Sequence, residues 1–245
     1  MNNVILVLIA GVLIVIGVLQ VRQLFKGGEY RTAASLRKIA SSMSLSFVGD
    51  TQPSYFSSIS RFPLFQLVNN GRGYGNLFTG KHLGAKVSIF DYSYRLSIRT
   101  PPRQTPGQTL EDQRISVFDH TAVWFVDERL DLPEFELRPE GIIDKFRSAF
   151  KMEEHSDIDF ADHPKFSKRF LLRGPHVKPV AELFTVPVIS HFEQANGKIY
   201  VEGKGENLMI YVERLVAPSK MQEFFEQCLV LVSHIFRVGV GTKKA

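Results

Sequence analysis

The chain has 245 residues, of which 44% are hydrophobic and 22% charged, a composition typical of a globular protein rather than a disordered one. The formal net charge of +5 favours anionic partners such as anionic lipid. The chain has no run of five or more Lys or Arg, so we expect no dedicated nucleic-acid-binding surface. The single cysteine, Cys228, excludes an intrachain disulfide.

The first strong feature is an apolar run over residues 4–19, which Arg22 ends shortly afterwards. Its length is close to the roughly 20 residues that cross a bilayer as a helix. A cleaved signal peptide is the alternative, but the preceding MNN has no basic side chain and no A-x-A-like site follows the run. The sequence therefore predicts a transmembrane anchor over residues 1–21, with residues 4–21 in the lipid bilayer.

Basic residues follow the apolar run but do not precede it. The residues that follow it are Arg22, Lys26, Arg31, Arg37 and Lys38. Because such residues stay in the cytoplasm, we expect a single-pass protein of the inner (plasma) membrane with a cytoplasmic C-terminal domain. Gly27 and Gly28 mark residues 22–28 as a linker. Residues 29–245 then form a soluble domain that begins with a helix over 29–43.

The stretch GNLFTGKH at residues 75–82 matches most of the phosphate-loop pattern G-x-x-x-x-G-K-[ST]. His82 replaces the Ser or Thr, and the following residues alternate as in a strand, so no helix N-terminus is available for a phosphate. We interpret the stretch as part of a β-hairpin. Its second strand carries Phe90, Tyr92 and Tyr94 on one face, where core packing is the favoured interpretation and a ligand pocket the alternative.

A second glycine-lysine turn between two strand-like stretches occurs in KIYVEGKGENLMIYVERL, residues 198–215. Two interpretations stay open. The favoured one is two independent hairpins. The other is an internal duplication that divides the domain into similar halves, about 29–140 and 141–245.

The remaining segments show no regular βαβ alternation, which favours an α+β fold with a mostly antiparallel sheet, hairpins and packing helices after the transmembrane helix. We expect an exposed loop over residues 99–113, strands in 114–126 and 135–139, a helix over 141–150 and a strand-like stretch over 167–174. A last helix carries an apolar stripe that consists of Met221, Phe224, Phe225, Cys228, Leu229, Val232 and Phe236.

The best candidates for chemistry lie in DIDFADHP, residues 157–164. Carboxylates of Asp157, Asp159 and Asp162 with the imidazole of His163 can bind a divalent cation, and an Asp–His pair can orient a general base. However, Asp and His before proline are also ordinary turn residues. We therefore predict no cofactor, no metal and no assigned catalytic residue, with these four as weak candidates. Asp91 is expected to make a structural ion pair or a turn contact rather than to form a site.

Three stretches are read together: FDYSY at 90–94, LPEFELRPE at 132–140 and DIDFADHPKFSKRFLLRG at 157–174. With the N-terminal anchor, they resemble a widespread family of uncharacterised bacterial single-pass membrane proteins. The resemblance implies a bacterial, membrane-anchored protein and carries over no functional residue.

Three functions follow as hypotheses. The leading one is a membrane-anchored, non-enzymatic module that binds a protein partner or the lipid surface, without nucleic acid. The second is a membrane-tethered hydrolase or metal-dependent enzyme built on the Asp157–His163 cluster. The third is a sensor domain for a small ligand.

Overall fold

The computed structural model is built around one large antiparallel sheet, and it describes residues 31–67, 71–99, 103–105, 108–110, 113–140, 156–195 and 198–239. The predicted anchor at 1–21, the linker at 22–28 and the predicted helix at 141–150 lie outside these residues. None of the helices in the described ranges is long and apolar enough to cross a membrane.

The strands, in chain order, are β1 Ser46–Gly49, β2 Gly73–His82, β3 Ala85–Arg99, β4 Arg103–Thr105, β5 Gln108–Leu110, β6 Gln113–Val126, β7 Leu132–Pro139, β8 Ser156–Asp157, β9 Phe170–Gly174, β10 Tyr200–Gly205 and β11 Asn207–Val212. Nine of the described strands form one sheet in the order β1-β2-β3-β6-β11-β10-β7-β9-β8, and each neighbouring pair is antiparallel. β4 and β5 pair separately. The predicted α+β class with a mostly antiparallel sheet is confirmed.

The helices are α1 Ala33–Ser42, α2 Pro63–Gln66, α3 Pro164–Arg169, α4 Val177–Leu183, α5 Val186–Gln194 and α6 Pro218–Gly239, with a 3-10 helix at Pro53–Ile59. The side chain of Thr32 caps α1 by accepting a hydrogen bond from the Ser35 N–H. Proline occupies the first turn of α2, α3 and α5, where its missing N–H has no intrahelical partner to lose.

One face of the sheet, here the helical face, packs against the helices. Side chains such as Val87, Ile89 and Phe125 form a core with α1, α3, α4, α5 and α6. The predicted stripe of the last helix is confirmed in its main members, because Met221 and Cys228 are fully buried there. Burial raises the pKa of the Cys228 thiol, so this cysteine is a packed, unreactive side chain.

The opposite face, here the aromatic face, is covered by residues 53–67, which we call the cover segment. Phe90 and Tyr92 lie on this face, as their alternation predicts. Phe56 of the cover segment packs on Phe90 with ring centroids 4.5 Å apart, and Phe65 packs edge-on against Tyr92 at 4.9 Å. Burial of each Phe side chain contributes roughly 1.5–3 kcal/mol to the free energy of folding. The aromatic pairs therefore stabilise the packing of the cover segment on the sheet.

Two tight turns define one end of the sheet, here the turn end. In β2–β3 the turn is Leu83 and Gly84, both with positive φ, and in β10–β11 it includes Gly205 at φ 56°. Both predicted hairpins are therefore confirmed. Gly80 and Lys81 lie within β2 rather than at the turn, paired with β3, and no helix follows them.

At the other end, here the entry end, β3 and β6 continue as a two-stranded ribbon. β2 accompanies β3 only to Ser93, and β11 accompanies β6 only to Thr121. The ribbon beyond these points, residues 94–99 with 113–120 and the β4–β5 pair at its tip, is here called the arm. The predicted loop over 99–113 was wrong in part, because β4 and β5 pair within this Pro-rich stretch as two short strands.

The strand-like stretch at 167–174 was also wrong in its first half, because α3 extends to Arg169 and β9 starts at Phe170. Pro164 starts the helix and Phe166 buries its ring on the helical face. The proposed halves at about 29–140 and 141–245 share one sheet, in which β10 and β11 lie between β6 and β7.

The close packing of Gly203 against Phe135 gives a stability prediction. A Cβ on Gly203 would lie 2.3 Å from Cε1 of the Phe135 ring, which is buried in the helical-face core. We expect Gly203→Ala to lower the free energy of unfolding by about 1–3 kcal/mol through overpacking. Gly205→Asn is the control, since its site is open and Asn tolerates positive φ. Urea unfolding measures both, and equal losses in the two variants would contradict the packing argument.

Candidate functional site

The four residues singled out in DIDFADHP do not converge on one point. Asp157, at the end of β8, pairs with Arg173 of β9, with Oδ1 2.5 Å from Nε. His163 precedes α3, and its Nδ1 lies 3.8 Å from Oε1 of Glu193 on α5. Asp159 and Asp162 are exposed in the turn between them. Across the described ranges, no group of three or more His, Cys, Asp and Glu could hold a metal ion.

A different carboxylate, Asp91, is the centre of a polar network on the helical face. Its Oδ2 accepts hydrogen bonds from Nη2 of Arg31 at 2.5 Å and Nδ2 of Asn76 at 2.7 Å. Its Oδ1 accepts from the hydroxyl of Thr121, its partner across the β3–β6 ladder, at 2.8 Å. Three donors on two oxygens satisfy the carboxylate, which offsets the cost of burying its charge. The expected structural ion pair is confirmed.

The network also fixes the loop that precedes α6. Arg31 donates from Nη1 to the carbonyl of Val216, and the Val216 N–H donates to the Thr121 hydroxyl at 3.0 Å. We call Arg31, Asn76, Asp91, Thr121 and Val216 the Asp91 network. It ties the first described residue of the chain to the sheet and to the start of the last helix.

A β-bulge in β2 gives Asn76 its place in this network. The β2–β3 register shifts between Gly75 and Phe78, and Asn76 has φ 51°, a conformation that Asn adopts more readily than most residues. Bulges re-aim side chains, and here the amide of Asn76 reaches Asp91. Sequence reasoning missed Asn76 because neither the bulge nor the partner 15 residues away leaves a local pattern.

A second buried carboxyl lies on the aromatic face. Glu202 of β10 is 2% exposed, and its Oε1 accepts from the hydroxyl of Tyr211 at 2.8 Å and from the N–H of Leu64 at 3.0 Å. Leu64 stands in the first turn of α2, so Glu202 fastens the cover segment to the sheet. Sequence reasoning missed Glu202. The available signal was its position two residues after Tyr200, which puts both side chains on the same, buried face of β10.

The surroundings of Glu202 favour its neutral form. Burial is the main cause that raises the pKa of Glu202, and Glu136, directly opposite on β7, also raises it. The hydrogen bonds from Tyr211 and Leu64 lower it, and the net pKa is about 8. The imidazole of the nearby His120 is also buried. Burial lowers the pKa of His120 to about 4, so the imidazole is neutral at physiological pH.

These groups line a cavity of about 30 Å³ under the cover segment. That volume is on the scale of one or two water molecules, far below the roughly 300 Å³ of a small-ligand pocket. In this structure, the buried polar groups on the aromatic face are packed under the cover segment and leave no space for a small ligand. The lining residues are Leu64, Leu67, Tyr94, His120, Glu136, Leu137, Arg138, Tyr200, Glu202, Tyr211 and Glu213.

A larger groove, of about 680 Å³, opens between α5, α6 and the entry-end termini of β10 and β11. Its charged side chains include Lys198, Arg214 and Glu223, and Phe224 contributes an apolar wall. Burial lowers the pKa of His191 in this groove, and the neighbouring His234 adds to the effect. Val212 at the groove pairs with Thr121 of the Asp91 network, so the groove and the chain entry share one end of the sheet. The full lining is His191, Gln194, Ala195, Lys198, Ile199, Val212, Glu213, Arg214, Glu223, Phe224 and Gln227.

The Arg31–Asp91 pair is expected to stabilise the fold cooperatively. Asp91→Asn leaves the buried guanidinium of Arg31 without its counter-charge, and should lower the free energy of unfolding by about 2–4 kcal/mol. Arg31→Gln should cost a similar amount. The double variant should cost less than the sum by about 1–3 kcal/mol, measured by a double-mutant cycle in urea. Additive losses would show that the two side chains do not interact. Lys220→Gln, which breaks an exposed pair with Glu223, is the control and should cost less than about 1 kcal/mol.

The raised pKa of Glu202 predicts a pH-dependent stability. Between its unfolded value near 4.5 and its folded value of about 8, the folded state binds the proton more tightly. Stability is therefore greatest at the acidic end of this window and falls as pH rises, by up to about 1.4 kcal/mol per pH unit. Glu202→Gln keeps an acceptor for Tyr211 and Leu64 but cannot ionise, so its unfolding free energy should fall less steeply between pH 5 and pH 8.

Unfolding in urea at a series of pH values measures this difference. Glu134→Gln is the matched control, because Glu134 lies on the neighbouring strand in an exposed pair with Lys204. Its pH profile should run parallel to that of the natural protein. A Glu202→Gln profile equally parallel would rule out Glu202 as the source of the pH dependence.

Neither a protein-family model nor a curated protein sequence matches this chain. Among solved structures, the fold is similar to that in the crystal structure of the mycobacterial trehalose monomycolate transport factor A, TtfA. The TM-score is 0.54 with 9% sequence identity, over 84% of this chain and 92% of that chain. At this identity the similarity extends to the fold alone.

Proposed function

We propose that this protein is a single-pass protein of the bacterial inner membrane whose cytoplasmic domain is a non-enzymatic module that holds a protein partner next to the bilayer. The observation that carries the proposal is the shared position of the groove and the chain entry at one end of the sheet. A partner in the groove would then lie beside the anchor.

The reach of the chain supports this arrangement. Ten residue steps separate Val21, the end of the predicted anchor, from Arg31, and they span at most about 35 Å. The Asp91 network holds Arg31 on the sheet, so the entry end stays within that distance of the bilayer. The entry end, where the groove opens, is therefore the part of the described domain nearest to the predicted anchor.

The chemistry of the groove supports a protein partner. It combines Lys198 and Arg214 with Glu213 and Glu223 around an apolar wall. Such a lining suits a peptide segment that carries both charged and apolar side chains. By contrast, Asp157 is engaged with Arg173, which disfavours the enzymatic alternative built on that cluster. The structurally similar protein is named a transport factor.

Topology and function are tested together in a bacterial strain whose own gene is deleted. A C-terminal reporter active only in the cytoplasm should give signal, and the full chain should resist extraction by alkaline carbonate. The double variant Lys198→Glu with Arg214→Glu should fail to restore normal growth to the deletion strain. The charge-matched control, Lys165→Glu with Lys178→Glu, places the same changes on exposed residues of α3 and α4 and should restore it.

Three outcomes would contradict the proposal. Signal only from a reporter active outside the cytoplasm would overturn the topology. Full restoration by the groove variant would exclude the groove as the partner site. Loss of restoration by Asp157→Ala with His163→Ala, in protein that still folds, would favour the membrane-tethered enzyme instead.

A further inference from the structure

The arm has two unlike faces. On the side continuous with the aromatic face, Tyr94 stacks on Phe118 with ring centroids 5.2 Å apart. On the side continuous with the helical face, Ile115 is 67% exposed and Val117 is 57% exposed. The two are neighbours on one face of β6, since residues two apart in a strand point the same way. Isolated two-stranded ribbons are marginally stable in water, so a surface that covered this face would stabilise the arm.

The chain entry lies on the same face of the same ribbon. Thr121, which belongs to the Asp91 network, is four residues from Val117 and six from Ile115 along β6. At about 3.4 Å per residue, these side chains lie about 14 Å and 20 Å from the entry point. Leu215, next to Val216 of the network, is also partly exposed. Three exposed apolar side chains, Ile115, Val117 and Leu215, therefore lie at the same end of the sheet as the chain entry.

We propose that this face of the arm lies on the bilayer that holds the anchor, with Ile115 and Val117 in the boundary between headgroups and acyl chains. The proposal rests on the membrane anchoring argued above, and adds a second contact with the lipid. Arg95 pairs with Val117 across the ladder and is exposed on the same face, where its guanidinium can meet lipid phosphate while its stem stays apolar.

Tethering makes such a small contact sufficient. Two aliphatic side chains bury too little apolar area to recruit a free protein to a membrane, because even a whole myristoyl chain binds only marginally. A tether of at most ten residues turns the contact into an intramolecular one with a high effective concentration. The arm then sets the orientation of the domain at the bilayer rather than its attachment.

The single cysteine makes a direct test practical, because Cys228 is fully buried and an introduced surface cysteine labels selectively. Ile115→Cys is labelled with the environment-sensitive fluorophore NBD in the full chain, in vesicles of phosphatidylethanolamine and phosphatidylglycerol. Leu83→Cys is the matched control, since Leu83 is 72% exposed at the turn end, the opposite end of β3. Unfolding curves of both variants verify that each folds.

At position 115 we expect blue-shifted NBD emission, at least threefold stronger quenching by lipids brominated on their acyl chains than at position 83, and weaker quenching by aqueous iodide. Equal quenching at the two positions would overturn the proposal. Shielding of position 115 from iodide without quenching by brominated lipid would also overturn it, and would indicate that residues 20–30 or a second copy covers the arm.

Vesicle flotation after carbonate washing separates this inference from the proposed function. A chain that floats but shows position 115 in water refutes the lipid contact of the arm and leaves the anchor in place. A chain that does not float refutes the anchor, and the contact of the arm falls with it.

Discussion

Because β3 and β6 pair without a register shift from Lys86 and Val126 to Arg99 and Gln113, the face of every side chain along both strands is fixed at once. This ladder commits Ile89 to the helical core and Phe90 to the aromatic core. It also sets Asp91 opposite Thr121, and it carries the arm beyond the sheet. A slip of one residue would exchange the two cores and move Asp91 from its donors to the aromatic face.

The costs of burying the carboxyl groups of Asp91 and Glu202 in the sheet are offset in different ways. Asp91 accepts hydrogen bonds from three donors, one of them a guanidinium, and it joins segments that are far apart in the chain. Glu202 has two donors on one oxygen and a second glutamate opposite, so its neutral form is favoured. Asp91 therefore fastens the chain entry through an ion pair, whereas Glu202 fastens the cover segment through a hydrogen bond from a backbone N–H.

The sequence predicted features that repeat locally and missed those that depend on distant partners. Alternation placed Phe90, Tyr92 and Tyr94 on one face, and glycine-containing turns located both hairpins. The arm was missed because its Pro- and Thr-rich tip follows turn composition, while its pairing follows from the ladder behind it. Asp91 was expected to form an ion pair, but its partner is 60 residues away. Glu202 was missed although it alternates in phase with Tyr200, because a glutamate in an alternating strand is ordinarily solvent-exposed.

The position of the chain entry decides which surfaces are available to which partners. On the proposed topology, the groove, the Asp91 network and the arm lie at the membrane-facing end, while the turns at Leu83 and Gly205 face the cytosol. The groove can then accept a partner only in an orientation that the bilayer permits, which restricts binding to membrane proteins or to segments that approach along the surface. The proposed lipid contact of the arm would narrow that choice further, because it would remove the rotation that the anchor alone would leave. Specificity would thus arise from a fixed approach direction as much as from the side chains of the groove.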